Sequence, residues 1–140
     1  MSRILAIDYG KKRTGIAVTD PLKMIASPLV CIDTPDIFIF LENYFKTEKV
    51  ETLVIGYPLN TNGSATDVTK DVIRYKNNIQ KKFPAIKVEF ADERYTSVIA
   101  HQTMLAAGLR KKARRDKRLV DKISAAVILQ GYLNKMGIGN

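Results

Sequence analysis

Two short apolar runs near the N-terminus, Ile4-Leu5-Ala6-Ile7 and Ile16-Ala17-Val18, stand too close together to be parallel neighbours in a sheet. A parallel pair needs a crossover of roughly a dozen or more residues, and only Asp8 to Gly15 separate these two. The pair therefore reads as an antiparallel hairpin, and the rest of the chain is organised around it. The first run ends in an acid, Asp8, followed by Tyr9, Gly10 and the cations Lys11, Lys12 and Arg13. An aspartate closing a buried strand beside a glycine turn has two readings. It is an ordinary turn-starting residue, or it holds a metal against a phosphate.

Further along, residues 24–32 read as a third strand, with Pro28 marking an edge position or a bulge. Thr34-Pro35-Asp36 opens a helix, with Thr34 as its cap and Pro35 at the first helical position. Ile37, Phe38, Leu41, Tyr44 and Phe45 supply that helix with a buried stripe. Residues 50–55 form a fourth strand, parallel to the first because a helix separates it from the third. It closes on Gly56-Tyr57-Pro58.

A turn-rich loop at 59–64 then leads into a helix over 65–82. Asn62 and Gly63 of that loop are candidate anion contacts, because backbone N–H groups at a helix start favour negative charge. Residues 86–90 alternate apolar and charged, as a half-exposed edge strand does. A helix follows from about Thr96, a candidate cap, to Gly108, its terminator. The last helix spans about 117–135. The expectation is one α/β domain over 1–140, a five-stranded mixed sheet with strand two antiparallel and helices on both faces.

The formal charge of +9 is concentrated. Between Arg110 and Arg118, seven cations (Arg110, Lys111, Lys112, Arg114, Arg115, Lys117, Arg118) face only Asp116, a net of +6. Such a run is either a solvated loop or the footprint of a polyanion. Cys31 is the single cysteine, so it has no internal disulfide partner and reads as a small buried thiol. No apolar run reaches the length of a membrane span and the N-terminus lacks a signal peptide's pattern, so a cytoplasmic location is expected.

Three acids stand where a sheet-based site gathers them. Asp8 ends the first strand and Glu93 follows the last, both at carboxyl ends of parallel strands, where such sites form. Asp121 lies in the opening turns of a largely apolar helix. It is a capping acid, the partner of Lys122 or Arg118, or a metal ligand. Converging carboxylates repel unless a cation neutralises them, and oxygen ligands without a His or Cys cluster select Mg²⁺ or Mn²⁺. His101 has no ligand partner in sequence and reads as a plain helix residue. Lys11, Lys12, Arg13, Lys122 and the basic stretch would then hold a nucleic-acid backbone. Arg94 either orients a carboxylate, contacts phosphate or forms a structural ion pair.

Four stretches resemble the motifs of one bacterial family. They are Ile7-Asp8-Tyr9-Gly10 with Arg13-Thr14-Gly15-Ile16-Ala17-Val18, and Ile55-Gly56-Tyr57-Pro58-Leu59-Asn60 with Asn62-Gly63-Ser64. Asp92-Glu93-Arg94-Tyr95-Thr96 follows, then Val120-Asp121-Lys122-Ile123-Ser124-Ala125-Ala126 with Ile128-Leu129-Gln130. The family is that of the pre-16S rRNA nucleases, also described as Holliday-junction-resolvase-like, with an RNase H-like fold. The resemblance implies Asp8, Glu93 and Asp121 as an acidic triad, a divalent metal, and a role in maturing the 5′ end of small-subunit rRNA. Asn62 departs from the pattern, standing where an acid is common. The fourth strand also ends without the acid that many RNase H-like nucleases carry there, leaving one or two metals open.

The expected partner is nucleic acid, pre-rRNA or branched DNA, bound by a monomer or weak homodimer and away from membranes. A junction-resolving DNA nuclease uses the same acids. A non-catalytic RNA-binding assembly factor and an actin-like phosphate-handling enzyme are the readings from other classes, and the latter needs two such domains.

Overall fold

The computed structural model describes residues 2–57, 69–92 and 96–137. Five strands, β1 (Arg3–Asp8), β2 (Arg13–Thr19), β3 (Ala26–Asp33), β4 (Val50–Tyr57) and β5 (Lys87–Asp92), form one sheet in the order β3-β2-β1-β4-β5. β1 pairs antiparallel with β2 and parallel with β4, and β4 pairs parallel with β5. The expected mixed sheet with an antiparallel second strand is therefore present. Its helices are α1 (Ile37–Thr47), α2 (Thr69–Lys82), α3 (Thr96–Ala106), α4 (Lys111–Arg114) and α5 (Lys117–Lys135).

Alternation along β1 sets which helix covers which face. Leu5 and Ile7, with Ile16, Val18, Leu53 and Ile55, pack against Ile37 and Leu41 of α1 and Val72 and Ile79 of α2. Ile4 and Ala6, with Ala17 and Val54, pack against Ala125, Ile128, Leu129 and Leu133 of α5. A fully buried Leu or Ile contributes about 2 kcal/mol of transfer free energy. Slipping β1 by one residue would turn all four of its aliphatics to the wrong layer, so the register is strongly held. Asp8 continues the series Ile4, Ala6, and so ends β1 on the α5 side.

β3 is an edge strand, and its register with β2 shifts between Ile16 and Ala17, where Pro28 pairs with Ala17. Both consequences anticipated for Pro28 thus occur together. Thr34 does not cap α1: residues Thr34–Asp36 form a 3-10 turn ahead of it, and Asp33 and Asp36 precede the two elements without side-chain caps. The Thr34 hydroxyl is used elsewhere, as described below.

The basic stretch is not merely a connection, because α4 occupies Lys111–Arg114. Gly108 lies at φ 77°, the left-handed conformation that glycine accepts at a helix end. Val120, Ile123 and Val127 of α5 are only half-buried, and the fully buried stripe is Ser124, Ala125, Ile128, Leu129 and Leu133. The start of the expected 65–82 helix and its preceding loop, including Asn62 and Gly63, lie outside the described residues, as do Glu93 and Arg94. Among the described residues no helix is long and apolar enough to cross a membrane.

Candidate active site

The cross-strand partner of Asp8 in β2 is Gly15. At Gly15 sheet and helix approach closely: a β-carbon built on it would lie 2.0 Å from the carbonyl oxygen of Asp121 and 2.9 Å from the amide nitrogen of Lys122. Only hydrogen fits between those backbones. Gly15 with Ala6 and Ala17 lowers the sheet surface beneath α5, so the helix rests directly over the Asp8–Gly15 pair.

Asp121 is a full turn past the helix start at Lys117, beyond the first turn. The N-cap is Asp116, whose carboxylate accepts from the amides of Arg118 (3.0 Å) and Leu119 (3.4 Å). Capping therefore does not explain Asp121. Nor does Lys122 or Arg118 pair with it. Arg118 reaches β3, donating to the Cys31 carbonyl at 3.2 Å and to Asp33 at 2.7 Å. The partner of Asp121 is Arg13, whose Nε donates to Oδ2 at 3.2 Å. Each side chain is 28% exposed, so the pair is partly shielded from water. The Cys31 thiol sits 3.8 Å from the same oxygen, and burial, then the Asp121 charge, pushes its pKa up. It is a protonated neighbour of Asp121 there, not a thiolate.

Asp8, Tyr9, Gly10, Lys11, Lys12, Arg13 and Asp121 line one cleft of about 380 Å³. Larger hollows, of about 660 and 600 Å³, run along β5 and α5 and between α3 and α5. Neither contains Asp8 or Asp121, so size does not mark this site. Convergence of charge does.

Lys11 and Lys12 are exposed on the turn beside the acids, as a phosphate contact requires. Arg13 lies in the same cleft, half-buried and paired with Asp121. Arg110, Lys111, Lys112, Arg115, Lys117 and Arg118 are exposed, whereas Arg114 is half-buried and donates to the Leu109 carbonyl at 2.8 Å. Lys122 is half-buried next to Asp121.

Two residues escaped the sequence reading. Cys31 meets Asp121 through register alone, since Gly15 is its partner in the β2–β3 ladder. Thr34 is buried, and its hydroxyl donates to the Gly10 carbonyl at 2.5 Å. The Thr34-Pro35 signature of a helix start conceals that role.

Among the described residues no group of three His, Cys, Asp or Glu side chains forms a metal centre. Asp8 and Asp121 nevertheless offer oxygen donors in one cleft, and a guanidinium already rests on Asp121 where a cation belongs. That donor set fits a hard divalent ion.

The family model described as "RuvX: Holliday junction resolvase" matches residues 2–135. The chain belongs to the RuvX family. Among curated relatives of this RuvX-family chain, a protein of Phocaeicola vulgatus named "Putative pre-16S rRNA nuclease" is 51% identical over 95% of this chain and 96% of its own length. Proteins of the same name from Bacteroides fragilis and Christiangramia forsetii are 50% and 51% identical, each over 95% of this chain. Among solved structures, Thermus thermophilus RuvC in complex with a Holliday junction substrate superposes with a TM-score of 0.56 at 16% identity, covering 98% of this chain and 97% of that one. RuvC alone gives a TM-score of 0.55 at 15% identity. At such identity the likeness establishes the shared RNase H-like fold.

Proposed function

We propose that this RuvX-family chain is a divalent-metal-dependent nuclease that hydrolyses phosphodiester bonds, with precursor 16S rRNA as its substrate and the cytoplasm as its location. The observation that carries the reading is Asp8 and Asp121 lining one cleft with Lys11, Lys12 and Arg13, at the carboxyl end of β1. Acids and cations sharing a cleft suit a polyanion cleaved by metal-assisted attack.

Asp8 and Asp121 would hold the ion, with Glu93 as the third ligand implied by the family motif. A bound Mg²⁺ or Mn²⁺ supplies a water of lowered pKa and charge stabilisation at the phosphoryl oxygens. The protein's own contribution is placement. Gly15 seats Asp121 over the end of β1, and Arg13 orients its carboxylate through Oδ2. Lys11 and Lys12 attract the backbone phosphates, and the exposed cations of 110–118 extend that attraction along the strand.

The test is cleavage of a precursor 16S rRNA 5′-end fragment in Mg²⁺ or Mn²⁺ by wild type, Asp8→Asn, Glu93→Gln and Asp121→Asn. Loss of cleavage in each variant, with folding retained, is the expected result. Full activity in Asp8→Asn sinks the catalytic assignment.

A second reading, a DNA nuclease acting on four-way junctions, draws support from the family's description and from the RuvC fold. Competition between labelled precursor rRNA and a four-way DNA junction separates the two. The rRNA reading expects the junction to compete poorly.

A further inference from the structure

We propose that Thr34 is a positioning residue for phosphate recognition. It holds the β1–β2 turn so that the Lys11 peptide N–H, together with the Lys11 and Lys12 side chains, meets a backbone phosphate in the cleft. The inference rests on the nuclease reading and names a contact within its site.

Thr34 and Thr14 are both buried, at 4% and 0% exposure, and their hydroxyls lie 3.0 Å apart. The Thr34 hydroxyl spends its one proton on the Gly10 carbonyl, at 2.5 Å, because a carbonyl only accepts. Thr14 is therefore the donor in the Thr14–Thr34 pair, and the chain of bonds has one direction, from Thr14 through Thr34 to Gly10. The Thr34 backbone N–H donates to the Lys12 carbonyl at 2.9 Å. One buried residue thus gathers two carbonyls of the same short turn.

That arrangement dictates where the turn's donors point. Among the described residues every peptide bond is trans. In a trans peptide the C=O and the following N–H point to opposite sides. With the Gly10 carbonyl turned toward Thr34, the Lys11 N–H is turned away from it. Gly10 and Lys11 line the cleft and Thr34 does not, and we take the side away from Thr34 as the cleft side. Gly10 tightens the turn further: a β-carbon there would lie 2.5 Å from the Arg13 carbonyl oxygen. The turn would then offer the cleft a backbone donor and two ammonium groups, a set that fits the non-bridging oxygens of a phosphodiester. A hydroxyl in a helix-start motif has become a brace for a phosphate-binding turn.

The experiment compares Thr34→Val, which keeps the shape and loses the donor, with Thr34→Ser, which keeps the hydroxyl. Amide ¹H–¹⁵N spectra are recorded during titration with a short single-stranded RNA in the absence of divalent metal, alongside its affinity by fluorescence anisotropy. The Lys11 amide is expected to shift on RNA binding in wild type and Thr34→Ser. In Thr34→Val it stays put, and affinity weakens about tenfold, the loss of one charge-assisted hydrogen bond.

Unchanged affinity in a folded Thr34→Val protein overturns the proposal. So does RNA binding by wild type that leaves the Lys11 amide unmoved, a readout that stands even if Thr34→Val fails to fold. If wild type binds no RNA at all, with or without Mg²⁺, the rRNA reading fails and this assignment falls with it.

Discussion

Gly15 and Asp121 meet backbone to backbone: a β-carbon on Gly15 would fall 2.0 Å from the Asp121 carbonyl oxygen and 2.4 Å from its carbonyl carbon. Because Gly15 is also the ladder partner of Asp8, this one contact joins the two described acids of the site to each other through the fold.

Gly15→Ala is expected to be among the most damaging small substitutions in the chain. The obstacles are backbone atoms, which do not swing aside as a side-chain end would. Relief requires α5 to lift from β2, which costs about 3 kcal/mol at the upper end of ordinary overpacking. Denaturant unfolding should show that loss. Cleavage should fall further than stability alone explains, because Asp121 moves with the helix.

Arg13 and Asp121 form a half-shielded pair, so their coupling should exceed that of a surface ion pair. A double-mutant cycle with Arg13→Gln and Asp121→Asn is expected to give about 1 kcal/mol of coupling in stability. The coupling should shrink only modestly in high salt, because each side chain is 28% exposed. A coupling near zero would mean that Arg13 is oriented by something other than Asp121.

Lys11 and Lys12 are exposed, and their contribution should be to affinity and its salt dependence. In Lys11→Ala/Lys12→Ala, the slope of log affinity for single-stranded RNA against log salt should flatten by roughly 0.7 per lost phosphate contact. Stability should barely change. Anisotropy titrations at several salt concentrations measure both the slope and the intercept.

Away from the site, Tyr132 donates a short hydrogen bond to Glu89, which also pairs with Lys87 at 2.9 Å. Burial, then the Glu89 hydrogen bond, pushes the phenol pKa up from its ordinary 10.0 to about 12. The bond to Tyr132, then that to Lys87, holds the Glu89 carboxyl below its ordinary value. A phenol with a raised folded-state pKa lends stability that is complete below its unfolded pKa and vanishes as pH rises through the folded one. The stability gap between wild type and Tyr132→Phe should therefore be constant up to about pH 10 and close toward about pH 12. Absorbance titration of the phenolates should lose its latest step in the variant.

Much of the architecture was legible because it is written in local period. Ile4-Leu5-Ala6-Ile7 and the runs ending at Val18, Ile55 and Phe90 mark strands by composition, and the shortness of the 8–15 turn leaves no parallel option. The acids at strand ends and the cluster of cations at 110–118 are likewise visible as residue types in order. What the order of residues cannot carry is which groups meet. Capping was a fair reading of Asp121 until Asp116 proved to cap α5, which begins at Lys117 as expected. Lys122 and Arg118 were its nearest cations in sequence, yet the packing of α5 across β2 brings Arg13 instead. Thr34 sits in a sequence typical of a helix start, and a hydrogen bond to Gly10 claims its hydroxyl.

The sequence by itself thus determined the elements, their facing and the kinds of charge available, because periodicity and turn chemistry act over a few residues. Tertiary structure alone decided that Gly15 admits the Asp121 backbone, that Arg13 is the counter-ion, and that Thr34 braces the turn. Those outcomes depend on how closely a helix settles on a sheet, and that distance is set by side-chain volumes in several elements at once.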